Sequence, residues 1–241
     1  YMDASADFDM SIMASAYAPL TLRPKPGTEG NQPVSGLLAV LPSDMPENAK
    51  SEFNEGYNIV ASGKDLEKAI PHFKKVTDAY PKYAPAYLLL GTAYVRTDKP
   101  DDAITPLQKA IELDPKSSDA YTVLGTVYVG QKKFPNAEQS LSKAVELAPT
   151  SFDAQYQLGR TYFAEQKWPE AQQHLAAALQ SNPNSAEAHI QMGNTMLRLR
   201  NAEGALKEYQ EGVRLDPKGP MAEPAKQMIG KIQTALAAQK K

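Results

Sequence analysis

The stretch APAYLLLGTAYVRTDKPDDAITPLQKAIELDP, residues 84–115, reads as two short helices joined by a polar turn. Tyr87, Leu90, Gly91 and Tyr94 keep the three-and-four spacing of one helical face, and Ala103, Leu107 and Ala110 keep it again. Between them lies Thr97-Asp98-Lys99-Pro100, where Pro100 suits the first turn of a helix because its missing N–H costs nothing there. Pro115 stops the second helix and biases the residue before it away from helical backbone. Glycine and small alanines on the facing sides let two helices press backbone against backbone. A Gly91→Leu change is expected to overpack that crossing, at about 1–3 kcal/mol or more.

The unit repeats. Gly91 recurs as Gly125, Gly159 and Gly193, each 34 residues further on. The same step carries Tyr94 to Tyr128, Tyr162 and Met196, and Ala103 to Ala137, Ala171 and Ala205. It carries Leu107 to Leu141, Leu175 and Tyr209, Ala110 to Ala144, Ala178 and Gly212, and Pro115 to Pro149, Pro183 and Pro217. Upstream, Ala69, Phe73 and Pro81 supply a fifth copy. Gly56 precedes Gly91 by 35 residues, so the turn around Gly63 and Lys64 holds one extra residue. Five units follow, at 49–83, 84–117, 118–151, 152–185 and 186–219. No such unit buries its apolar face alone; stacking does it.

Period, glycine, aromatic, alanines and proline together resemble the tetratricopeptide repeat (TPR) family over residues 49–219, in the manner of its bacterial members. The resemblance implies an all-α fold: a right-handed superhelical solenoid of five helix-turn-helix repeats. The tryptophan common near the start of each family repeat is here Tyr87, Tyr121, Gln155 and His189, and the usual turn glycine is Asp98, Lys132, Gln166 and Arg200. The resemblance also implies that the first helices line a concave groove for a protein or peptide partner. Projected onto this chain, that groove holds Leu88, Thr92 and Val95, then Thr122, Thr126 and Val129, then Tyr156, Arg160 and Phe163, then Ile190, Asn194 and Arg198. The family's carboxylate clamp needs lysine, asparagine and arginine at set groove positions, and only Arg160 and Asn194 suit it, so a receptor for chaperone tails is not expected. Any one of these side chains has the plainer alternative of packing against the next repeat.

Both ends depart from the period. Residues 220–241 read as an amphipathic capping helix with Ala225, Met228, Ile229, Ile232 and Leu236 on one face, covering the apolar end of the stack. Residues 1–48 form an extended N-terminal arm with two β-prone segments, 8–22 and 34–41. In the first, every even position from Phe8 to Leu22 is apolar, the period of a half-buried strand. Two strands alone are marginal in water, and an apolar strand with free backbone invites pairing with another chain. Phe8, Met10, Ile12, Leu20, Leu22, Val34, Leu37 and Leu38 are therefore the candidate assembly residues. Docking onto a neighbouring copy is the preferred expectation; folding back on the same solenoid, or closing a β-domain that precedes residue 1, are the alternatives. The first 49 residues carry a net charge of -4 and the remainder +2, a complement that favours docking.

Composition narrows the function. A formal charge of -2 gives no field to gather nucleic acid, and no apolar run approaches the ~20 residues of a membrane span. Cysteine is absent, which removes disulfides and thiol chemistry. His72, His174 and His189 are scattered over different repeats with no metal-ligand spacing, and no phosphate-binding or nucleophile motif occurs. Asp101-Asp102 opens a helix, where acids favour the macrodipole. No catalytic residue, cofactor or metal is expected. The reading is a non-enzymatic scaffold that assembles with copies of itself into a head-to-tail polymer or extracellular filament; the alternative is a periplasmic or cytoplasmic adaptor that holds a partner peptide. If Tyr1 is a processed terminus the chain is exported to the periplasm or beyond the cell; if it is a fragment edge, location stays open and includes the cytoplasm.

Overall fold

The structure, a computed structural model, describes residues 41–239. Among these residues eleven α-helices follow in order: α1 (Glu47–Ser62), α2 (Ala69–Ala79), α3 (Ala84–Arg96), α4 (Pro100–Leu113), α5 (Ser118–Gly130), α6 (Phe134–Leu147), α7 (Phe152–Ala164), α8 (Trp168–Ser181), α9 (Ala186–Arg198), α10 (Ala202–Leu215) and α11 (Ala222–Gln239). There is no strand among the described residues. The β-prone segment 8–22, and 34–41 up to residue 40, lie outside them, and so do Phe8, Met10, Ile12, Leu20, Leu22, Val34, Leu37 and Leu38.

Four of the five pairs close by the same local chemistry. Asp98, Lys132, Gln166 and Arg200 stand in left-handed backbone, with φ between 58° and 63°. The following N–H then reaches back five residues: Lys99 to the Tyr94 carbonyl, Lys133 to Tyr128, Lys167 to Tyr162 and Asn201 to Met196, all at 2.9 Å. This is the Schellman closure, in which a left-handed residue turns the chain and satisfies carbonyls left open at the helix end. Three first helices begin on serine caps: Ser117, Ser151 and Ser185 accept from the N–H of Ala120, Ala154 and Ala188 at 3.2, 3.4 and 3.2 Å. The turn after α1 differs. Gly63 takes the left-handed position with φ 68°, and the chain adds the short 3-10 turn Leu66–Lys68 before α2.

In the three middle pairs the seam is glycine against leucine. A methyl group on Gly91 or Gly125 would stand 2.5 Å from Cγ of Leu107 or Leu141, and on Gly159 2.8 Å from that of Leu175. Those three leucines and Ala103, Ala137 and Ala171 have no exposed surface. The last seam is looser. A methyl on Gly193 would meet only the Tyr209 ring, at 3.2 Å.

Successive first helices (α1, α3, α5, α7, α9) touch one another, whereas successive second helices make no comparable contact. The first-helix layer therefore follows the shorter, inner arc and forms the concave wall. At the N-terminal end Met45 is buried, and Asp44 accepts from the Tyr80 hydroxyl at 2.6 Å and from Lys82 Nζ at 2.8 Å. The bonds from Lys82 and then Tyr80 hold the Asp44 carboxyl below the usual range. At the other end α11 buries Ala225 and Ile232 beside Ala205 and Tyr209 of α10, with Met228, Ile229 and Leu236 half-buried around them.

Candidate peptide-binding groove

The twelve side chains projected onto the groove divide into two sets. Leu88, Thr122, Thr126, Val129 and Ile190 are buried. A methyl on Gly212 of α10 would stand 2.6 Å from Ile190, so that residue packs within its repeat. Thr122 donates to the Ser118 carbonyl at 2.9 Å and spends its hydroxyl within its own helix. Thr92, Val95, Tyr156, Arg160, Phe163, Asn194 and Arg198 keep solvent-accessible surface. Thr92 also bonds back, to Leu88 at 2.8 Å, and Asn194 accepts from the buried Tyr209 hydroxyl at 2.6 Å.

The most chemically distinct part of the wall is α7. Phe152, Tyr156 and Arg160 follow at steps of four, so one helical face carries all three. The Phe152 and Tyr156 rings stack with centroids 5.6 Å apart, and the Arg160 guanidinium lies 5.7 Å from the Tyr156 centroid. Gln157 steadies Arg160 by accepting from its Nη1 at 3.2 Å. Tyr156 is partly buried, and burial raises its pKa. Further along, Trp168 meets Phe163 edge-on at 5.1 Å and the Arg198 guanidinium at 5.5 Å, tying the start of α8 to α7 and α9.

Sequence reasoning did not single out three acids that recur with the period. Asp119, Asp153 and Glu187 are the second residues of α5, α7 and α9 and lie one 34-residue period apart. The period itself was the signal that could have found them. Burial raises the pKa of Asp119, with Asp153 adding to it by repulsion, and burial raises that of Asp153. Asp153 is nonetheless exposed and Asp119 only partly buried.

The histidines are spent on packing bonds. His72 Nδ1 lies 2.6 Å from Glu52, His174 Nδ1 2.7 Å from Gln155 and His189 Nδ1 2.7 Å from Glu208. Glu52, Glu55 and His72, unlinked by any sequence spacing, do converge with potential ligand atoms within 4.8 Å of one another. Lys75 Nζ already sits 2.7 Å from Glu52, and its bond is the main cause that lowers the Glu52 pKa, ahead of His72. The cluster is an ion-paired seam between α1 and α2. No helix among the described residues is long and apolar enough to cross a membrane.

Stacked helical pairs with an open concave wall define a solenoid of the interaction-module class. The family model for the tetratricopeptide repeat matches residues 61–127, 128–177 and 162–229, and the chain belongs to that family. Among solved structures it is similar to MamA, at 26% identity over 71% of this chain and 93% of that one, with a TM-score of 0.61. It is also similar to YrrB, described as a TPR protein with an unusual peptide-binding site, at 28% identity over 74% and 92% of the two chains, with a TM-score of 0.60. A thermophilic TPR protein of Thermus thermophilus, TTC0263, shares the fold, at 18% identity over 78% and 99%, with a TM-score of 0.57. No curated protein matches the chain.

Proposed function

We propose that this chain is a non-enzymatic scaffold whose concave wall holds an extended segment of another polypeptide. The observation that carries the reading is the Phe152–Tyr156–Arg160 face of α7. It sets two stacked rings and a guanidinium on the inner arc, where a large aromatic surface and a fixed donor set serve recognition and no core needs them. The likeness to YrrB, whose own peptide-binding site gives that structure its description, supports the same use of the fold. A photo-crosslinking residue at position 156 should capture a polypeptide in cells, whereas one at exposed Gln139, on α6 of the outer layer, should not. Combining Tyr156→Ala with Arg160→Ala should release the captured partner while circular dichroism shows the helical fold retained. A partner retained by the double variant would end the groove reading.

A second reading is self-assembly. The alternating apolar positions of residues 8–22, and a net charge of -4 on the first 49 residues against +2 on the rest, favour docking of the arm on a neighbouring copy. Head-to-tail contact of that kind is heterologous, and it yields rings or open filaments. An exported, extracellular polymer is the form that fits an arm of this type. Negative-stain images with and without residues 1–32 decide it, since monodisperse monomers in both samples would rule the polymer out.

A further inference from the structure

We infer that the first occupant of the groove is the chain's own residues 7–22, laid along the wall from α9 back to α1, with Asp7 and Asp9 at the guanidiniums of Arg160 and Arg198. This rests on the groove reading and adds that a partner must displace the arm. Length supports it first. Residues 7–22, fully extended, cover about 50 Å at about 3.3 Å each. Five first helices set about 8–10 Å apart make a wall of about 40 Å. Apolar side chains at every even position from Phe8 to Leu22 give the segment one continuous face. The wall answers with Val95, Tyr156 and Phe163, which keep accessible surface.

Charge and chain connection agree on the direction. Asp3, Asp7 and Asp9 are the only charged residues among the first 22, so charge is confined to one end of the segment. Arg160 and Arg198 stand on α7 and α9, towards the far end of the wall. Arg160 ion-pairs with no carboxylate among the described residues; it donates to Gln157 and lies over the Tyr156 ring. The wall's own acids are in first turns, and about 10 Å of helix separates Asp153 from Arg160. With Asp7 and Asp9 at the guanidiniums, Phe8 falls at the Tyr156 and Phe163 rings, and extended chain brings Leu22 back towards α1. The opposite direction would carry the acids away from both arginines. Leu41 packs against the core of the first repeats, and Asp44 is bonded to Tyr80 and Lys82, so the arm is tethered at that same end of the wall. The stretch between, 23–40, carries Pro24, Pro26, Gly27, Gly30, Pro33 and Gly36, the residues of turns. A tether that spans its sites gives an effective concentration on the order of 1 mM, so below that concentration a chain fills its own groove before a neighbour's. The head-to-tail polymer is the same contact exchanged between copies.

The test places the photo-crosslinker benzoylphenylalanine at position 8 of the intact chain, in a dilute mixture of isotope-labelled and unlabelled protein. Mass spectrometry should find the crosslink in α7 or the adjoining α9, within chains of one isotope. Combining Asp7→Lys with Asp9→Lys should lower its yield at least about fivefold, and adding Arg160→Glu to that pair should restore it. Combining Asp101→Lys with Asp102→Lys, in the first turn of outer helix α4, should leave it unchanged. Circular dichroism of each variant checks that the fold persists. Isotopically mixed crosslinks to α7 would overturn the inference in favour of docking between copies. Crosslinks elsewhere on the rod, or none, would overturn it outright. Capture of another polypeptide at position 156 would then leave the groove reading standing, and failure at both positions would sink the two together.

Discussion

The seam inside each helical pair and the concave wall are built from the same first helices, one to three residues apart, yet they obey different rules. Along the seam, Gly91, Gly125 and Gly159 meet Leu107, Leu141 and Leu175 with nearly the same geometry in each copy. Elsewhere on the same helices, the residues three positions before those glycines are Leu88, Thr122 and Tyr156 and the residues one after are Thr92, Thr126 and Arg160, of which Thr92, Tyr156 and Arg160 keep accessible surface. Packing at interior density admits few solutions, so the seam repeats itself. The wall has no such obligation, and its chemistry changes from repeat to repeat. Repetition marks what holds the rod together, and departure from it marks what the rod presents.

The comparison breaks most decisively in the seam. Leu141→Ala should cost about 2–5 kcal/mol in urea unfolding, because the cavity lies in a fully buried layer that cannot collapse. Tyr156→Ala on the wall should cost clearly less. Equal losses would mean that the wall is core. Next in size is a contrast within the seam itself. Gly125→Ala should lose about 1–3 kcal/mol from a 2.5 Å clash with Leu141, whereas Gly193→Ala, facing the Tyr209 ring at 3.2 Å, should lose less or gain from helix propensity. Thermal melts of the two variants give the ranking directly.

A smaller effect sits in the turns. Lys132 holds a left-handed conformation that costs a side-chain-bearing residue about 1 kcal/mol, so Lys132→Gly should stabilise by roughly 0.5 kcal/mol after its own entropy cost, and Lys132→Ala should not. The smallest effect is in pH. Asp44 is depressed by Lys82 and Tyr80, so its contribution is present above the ordinary aspartate range and is lost as pH falls through its lowered value. Asp119 and Asp153 are raised by burial, so they oppose folding at neutral pH, and that cost is relieved earlier on acidification. At neutral pH, the Asp119→Asn, Asp153→Asn variant should be more stable than the parent by under about 1 kcal/mol, and the gap should close as pH falls. A gap independent of pH would contradict this.

Most of the fold was legible because its signals are periodic and local. The 34-residue step, the helix-stopping prolines and the glycine–leucine pairing all state packing requirements in residue type. The left-handed turns were not legible in the same way, since Asp98, Lys132, Gln166 and Arg200 do not look like residues of that backbone region. The closing hydrogen bonds impose the conformation whatever the side chain. Of the side chains projected onto the groove, Tyr156 and Arg160 keep accessible surface, whereas Leu88, Val129 and Ile190 are buried, because one helical face is shared with the neighbouring helices. The periodic acids escaped notice because a carboxylate in a first turn has an ordinary explanation until its surroundings are known.

The four turns after the first helices have a consequence for engineering. Their tips carry Asp98, Lys132, Gln166 and Arg200, all exposed, and each is closed by a main-chain bond from the residue that follows. Dyes or tethers attached at these corners would be carried at a regular interval along the rod without touching either the packed seam or the proposed groove, which makes the molecule a ruler with four marks, one on each repeat after the first.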